Sequence, residues 1–138
     1  MTDSAEHKSL YSSLTNYCLA WEVVSRSAEQ ITASALFQFD QGFTGFAGHF
    51  PNKPILPAIV QLGIVRRLAE WVCGQKLQAG AYRKVKFKAA VVPREKISID
   101  LSLTLAPDLL QGRFTLYKPD SDGEIVAVGS CKLQPRNK

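Results

Sequence analysis

Few residues of this 138-residue chain are of a type and spacing able to do chemistry. His7 and His49 are its two histidines. His7 sits in the polar opening stretch, whereas His49 lies in Asp40 to Pro57, a segment rich in glycine (Gly42, Gly45, Gly48), proline (Pro51, Pro54, Pro57) and phenylalanine (Phe43, Phe46, Phe50). An imidazole titrates near neutral pH and suits general-base work, and a loop stiffened by prolines can hold such a base in place. In the same loop a lone histidine also has a structural use, as a hydrogen-bonded residue. Cys18, Cys73 and Cys131 are widely spaced, form no CxxC pair and have no base spaced to activate them. That argues against a zinc knuckle, a disulfide framework and nucleophilic catalysis. The remaining cluster is cationic: Arg83, Lys84, Lys86, Lys88, Arg94 and Lys96 stand against Glu95 alone and account for the whole net charge of +5. It reads either as a solvated strand face or as a patch, Lys84, Lys86, Lys88 and Arg94, that steers an acidic partner. Nucleic acid is disfavoured, because no helix carries a basic stripe and no aromatic is interleaved on the lysine face.

These residues need elements to position them. Residues 1–12 read as a flexible arm with a helical turn near its end, and 13–138 as a single domain. Cys18 to Ser25 has strand composition. Ile31, Ala33, Ala35, Phe37 and Phe39 alternate with polar residues as one face of a second strand. The Gly/Pro/Phe segment then excludes regular structure. Ala58 to Cys73 is a helix with Pro57 at its start and Gly74 as C-cap, apolar nearly all round except for Gln61, Arg66, Arg67 and Glu70. Such a helix must be wrapped by a sheet. Four strands follow, marked by Val85/Phe87/Ala89 alternating with Lys84/Lys86/Lys88, by Ile97 to Leu105, by Phe114/Leu116, and by Ile125 to Leu133. Turns at Pro93–Arg94, Pro107–Asp108 and Asp120–Gly123 punctuate them. Short links predict an antiparallel meander. The expected class is α+β, one curved antiparallel sheet around one long central helix, with free sheet edges that favour pairing with a second copy.

Composition bounds the rest. At 46% apolar and 21% charged the chain is ordinary for a globular domain. Its longest nearly uncharged apolar run, Pro54 to Val65, is too short to cross a bilayer. The start, MTDSAEHKSLYSS, lacks the basic opening and apolar core of a signal peptide, so the expected location is cytoplasmic.

Residues Gly48-His49-Phe50-Pro51-Asn52-Lys53-Pro54-Ile55-Leu56-Pro57 strongly resemble the GHFP…P…P-G signature of the hot-dog-fold 3-hydroxyacyl-[acyl carrier protein] dehydratases. VKFKAAVVP, residues 85–93, is similar to that family's V-x-F-x-x-x-V-x-P segment, and the resemblance runs from about Cys18 to Leu133. It implies a hot-dog dimer with two acyl tunnels at its interface, no bound cofactor, and a substrate carried on the phosphopantetheine of an acyl carrier protein. It implies His49 as the base that takes the C2 proton. It also implies that the backbone amide of Ala58, which stands where the family has glycine, stabilises the enolate oxygen. Phe43, Phe46 and Phe50 would be core or tunnel wall. The departure is Gly63: the family places an Asp or Glu there, fourteen residues after the histidine, to protonate the leaving hydroxyl. Gln61 points about 200° away on a regular helix and suits holding a water rather than acting as an acid. Glu70 is two turns on, Glu22 lies in the first strand, and Arg66 and Arg67 flank the face as anion binders.

A dehydratase-like lyase of fatty acid or polyene-type biosynthesis is therefore the leading expectation. A hot-dog thioesterase, which needs no acid at C3, is the alternative, as is a non-catalytic carrier-binding subunit. A homodimer, a higher oligomer and a hetero-partner that completes the site are the assemblies that go with them.

Overall fold

The computed structural model describes residues 10–46 and 54–136. Residues 10–13 are helical and run into a 3-10 turn, Leu14–Tyr17. Strands β1 (Cys18–Arg26) and β2 (Gln30–Gln38) form a hairpin, and a 3-10 turn at Thr44–Phe46 follows. Helix α1 spans Ala58–Cys73, and β3 (Leu77–Phe87), β4 (Lys96–Leu105), β5 (Leu110–Lys118) and β6 (Glu124–Pro135) complete the chain. The six strands make one sheet in the order β1-β2-β4-β5-β6-β3, antiparallel at every step. This is the hot-dog arrangement, an antiparallel sheet curled around one helix.

The period-2 pattern explains why the sheet has one apolar face. Ile31, Ala33, Ala35 and Phe37 of β2 are buried, and they lie opposite Leu103, Leu101, Ile99 and Ile97 of β4, which are buried too. The alanines pair with large residues, which leaves a shallow trough for α1. From the helix, Val60, Ile64, Val65, Leu68, Ala69 and Val72 are buried. Helix α1 begins directly after Pro57, whose φ of −65° and ψ of 154° are extended, and ends at Gly74, whose φ of 68° lets its N–H reach Glu70 O at 2.8 Å.

The sheet faces only one side of this helix, and the N-terminal segment covers part of another. Glu70 is the clamp. Its Oε1 accepts from the Tyr11 hydroxyl at 2.8 Å and from Arg67 at 3.2 Å, and its Oε2 accepts from the Leu77 amide at 2.8 Å. Arg67 also donates to Tyr11 O at 3.0 Å, and the guanidinium carbons of Arg66 and Arg67 lie 3.9 and 4.0 Å from the Tyr11 ring centre. Residues 10–12, counted in the arm on sequence, are thus helical and tied down.

Two expectations need correction, and one strand shows a register slip. The strands after α1 are not one meander: β3 leaves the helix for the far edge beside β6, and the chain then crosses back to lay β4 against β2. The strand around Val85 begins earlier than its lysines suggest, at Leu77, and a bulge between Arg83 and Lys86 breaks its alternation. In β6 the register slips opposite Leu116/Tyr117, so Val126 turns inward and is fully buried while Ile125 is 36% exposed.

Candidate active site

The loop that follows β2 is anchored by aromatic packing. Phe43 and Phe46 are buried, their rings perpendicular and 5.7 Å apart, with Phe39 4.7 Å and Tyr17 5.0 Å from Phe43. The Phe43 ring lies over Gly45, where a Cβ would collide with it. Phe43 and Phe46 are therefore core. His49 and Phe50 lie outside the described residues.

Where the chain returns, the amide of Leu56 donates to Val91 O at 2.8 Å, and the Arg94 amide donates to Phe39 O at 2.7 Å. The Leu56–Val91 bond ties together the two sides of a groove of about 530 Å³ at the start of α1, lined by Pro57, Ala58 and Gln61 on the helix side and by Phe87, Lys88 and Ala89 on the other. The amides of Val60 and Gln61 both turn back onto Pro57 O at 3.1 Å. The amides of Ala58 and Ile59 have no partner among the described residues, which is the ordinary state of first-turn amides. They sit at the positive end of the helix dipole, where negative charge is favoured. Gln61 is 4% exposed; its Nε2 donates to Leu56 O at 3.3 Å, and its Oε1 is buried without a partner.

Gly63 opens onto a different space, a cavity of about 280 Å³ lined by Tyr11, Leu14, Ile59, Gly63, Arg66 and Tyr82. A Cβ built on Gly63 would stand 3.1 Å from Leu14 Cδ1 and 3.7 Å from the Tyr11 ring. The glycine is thus a close-packing point for the N-terminal segment. Within one copy of the chain, the structure brings Ala58 and Gln61 to one groove and sends Gly63 to another face of α1. Burial raises the Tyr11 phenol well above its usual range, against the opposing hydrogen bond to Arg66, so it stays protonated. Glu70 is spent on the clamp, and Glu22 is exposed on β1.

The cations do not share one strand face. Lys84, with φ of 54°, is the inserted residue of the β3 bulge, while Arg83 and Lys86 face outward opposite Ser130 and Val128. Lys88 lies past the strand end on the rim of the groove, its amide donating to Val126 O at 2.7 Å. Arg94 is exposed in the turn that follows, with φ of 77°. Lys96 stands 4.0 Å from Asp120, and Glu95 pairs with Lys118 at 3.1 Å. Among the described residues no cluster of three His, Cys, Asp or Glu side chains could hold a metal ion, and no helix is long and apolar enough to cross a membrane. Tyr11 and Tyr82, which line the Gly63 cavity, carry no signal in the sequence: one precedes the first strand and the other lies in the half of β3 that has no clean alternation.

Comparison with known proteins agrees with the fold. An uncharacterised protein from Erwinia carotovora superposes with a TM-score of 0.70 at 24% identity, over 86% of this chain and 95% of that one. A chain of the dehydratase heterocomplex ApeI:P from Xenorhabdus doucetiae gives 0.62 at 22% identity, over 85% of this chain and 96% of that one. At these identities the likeness is one of fold. The 3-hydroxyacyl-[acyl-carrier-protein] dehydratase FabZ of Clostridium botulinum (strain Okra) is 35% identical over 66 residues, 43% of this chain and 46% of that protein. The chain thus matches about half the length of such curated relatives. Residues 25–130 match the family model described as ApeI-like, ApeI dehydratase, and the chain belongs to that family of hot-dog-fold dehydratases.

Proposed function

We propose that this protein works as a dehydratase-like lyase on a 3-hydroxyacyl thioester carried by an acyl carrier protein, with the acid of the reaction supplied by another chain. The observation that carries the reading is the groove at the start of α1, where Ala58, whose amide has no partner among the described residues and lies at the positive end of the helix dipole, meets a mostly apolar wall directly after the His49 loop. A thioester oxygen placed on the Ala58 amide would gain negative charge as His49 removes the C2 proton. The C2–C3 double bond then forms as the C3–O bond breaks, and the departing hydroxide leaves as water once an acid protonates it. Position 63 has no carboxylate, and its space is packed by Leu14 and Tyr11. A hetero-partner is the natural source of the missing acid; the Xenorhabdus doucetiae structure is itself a dehydratase heterocomplex. Lys84, Lys86, Lys88 and Arg94 would meet the acidic carrier, Lys88 from the groove rim.

The test uses a 3-hydroxyacyl carrier-protein thioester in deuterated water, with the protein alone and with an acid-bearing dehydratase partner, and mass spectrometry of the products. The protein alone should exchange deuterium at C2 and dehydrate roughly 10²–10⁴-fold more slowly than the pair, the usual worth of one general acid. His49→Ala should abolish both. Equal activity of His49→Ala and wild type would overturn the base assignment, and release of free 3-hydroxy acid would move the protein to the thioesterase reading.

A further inference from the structure

Gln61 is an odd residue to bury. It is 4% exposed on the wall of a groove that is apolar apart from Lys88 on its rim, and its Oε1 has no donor among the described residues. A carbonyl can only accept, so the Leu56 oxygen at 3.3 Å takes the nitrogen end of the amide. The oxygen end is thereby committed to the remaining direction as a pure acceptor. A leucine or methionine would fill nearly the same volume without stranding an acceptor, so the amide is better explained by a donor that arrives with a ligand.

We propose that Gln61 selects the ligand by its 3-hydroxyl, with Oε1 accepting the hydroxyl proton. The inference rests on the acyl-thioester reading above. Ala58 and Gln61 are three residues apart on one helix face, with Cβ atoms about 5–6 Å apart. A thioester oxygen on the Ala58 amide leaves C3, two carbons from the carbonyl carbon, within reach of the Gln61 side chain. The surrounding wall supplies Pro57, Phe87 and Ala89, none of which has a side-chain acceptor. A carboxamide holds no proton to give a leaving hydroxide, so Gln61 is a positioning and specificity residue. By accepting the hydroxyl's hydrogen bond it leaves both oxygen lone pairs free to face an acid from another chain.

The test is binding, measured by calorimetry with unreactive amide analogues: 3-hydroxyoctanoyl-pantetheine amide against octanoyl-pantetheine amide. The two share the pantetheine arm, so any difference reports the hydroxyl alone. Wild type should prefer the hydroxylated analogue by about 10- to 100-fold. Gln61→Leu should bind the two equally while unfolding at the same temperature as wild type or higher, since the stranded acceptor is gone. Gln61→Met gives the same reading if the branched side chain does not pack. Equal binding of both analogues to wild type, or a preference that survives in the variants, overturns the role of Gln61 and leaves the acyl-thioester reading standing. Binding of neither analogue to wild type overturns both.

Discussion

Gly63 is the point where the N-terminal segment packs closely on helix α1. Glycine inside a helix costs about 1 kcal/mol relative to alanine, and here it makes room for Leu14, whose Cδ1 stands 3.1 Å from where a Cβ would be. Gly63→Ala should leave stability within about 1 kcal/mol of wild type, the propensity gain offsetting a contact that an end methyl can relieve. Gly63→Glu, which places a carboxylate at the position where the resemblance expects one, has to drive that group between Leu14 and the Tyr11 ring. It should lower stability by about 1–3 kcal/mol in urea unfolding. A Glu variant as stable as wild type would show that the N-terminal segment yields freely.

Helix α1 has two well-defined ends with opposite tasks. At its start the Ala58 and Ile59 amides have no partner among the described residues, the Pro57 carbonyl being taken up by the amides of Val60 and Gln61. Its finish is held by Gly74 in the left-handed region and by Glu70 reaching Leu77, which sets where β3 begins. Gly74 has nothing within 4 Å of a built Cβ, so substitution there tests backbone strain alone. Gly74→Ala should cost about 1–2 kcal/mol and Gly74→Asn less, read from thermal unfolding. An unchanged melting temperature for Gly74→Ala would show that the helix end relaxes out of the left-handed conformation.

At the scale of the whole molecule, stability at alkaline pH follows from acidic groups buried in their protonated form. Burial pushes the Cys131 thiol, packed against Gly112 inside the sheet, up from 9.0 to about 11. Burial also raises the Tyr11 and Tyr82 phenols above their ordinary 10.0. Below pH 9 the folded and unfolded chains hold the same proton on Cys131, and its contribution is fully present. As pH rises from 9 to 11 the unfolded chain loses that proton first, so stability falls across this window. The tyrosines extend the decline beyond pH 10. A urea midpoint measured at pH 8, 9, 10 and 11 should drop progressively from pH 9 onward, and Cys131→Ala should flatten the first part of the drop. A midpoint constant to pH 11 would show that these groups ionise as freely in the fold as outside it.

Local pattern was enough for much of this protein. The bounds of α1 were legible because the proline at its start, the run of mostly apolar residues and the glycine at its end are all local signals. The inward faces of β2, β4 and β5 were legible because alternation in a strand is a property of adjacent residues. The GHFP…P…P segment was equally visible, and the hot-dog dehydratase resemblance it carries agrees with the family the chain belongs to. What sequence alone left open depends on partners distant along the chain. Strand order is decided by where β3 finds a free edge after the helix, not by the short links that suggested a meander. The lysine face fails because a bulge is set by the register against β6, which no local count reveals. Only the tertiary structure shows that Glu70 is a clamp and Gly63 a seat for Leu14. It alone also places Gln61 and Ala58 on one groove, because those roles arise from side chains that meet only when the N-terminal segment, the helix and the edge strand are packed together.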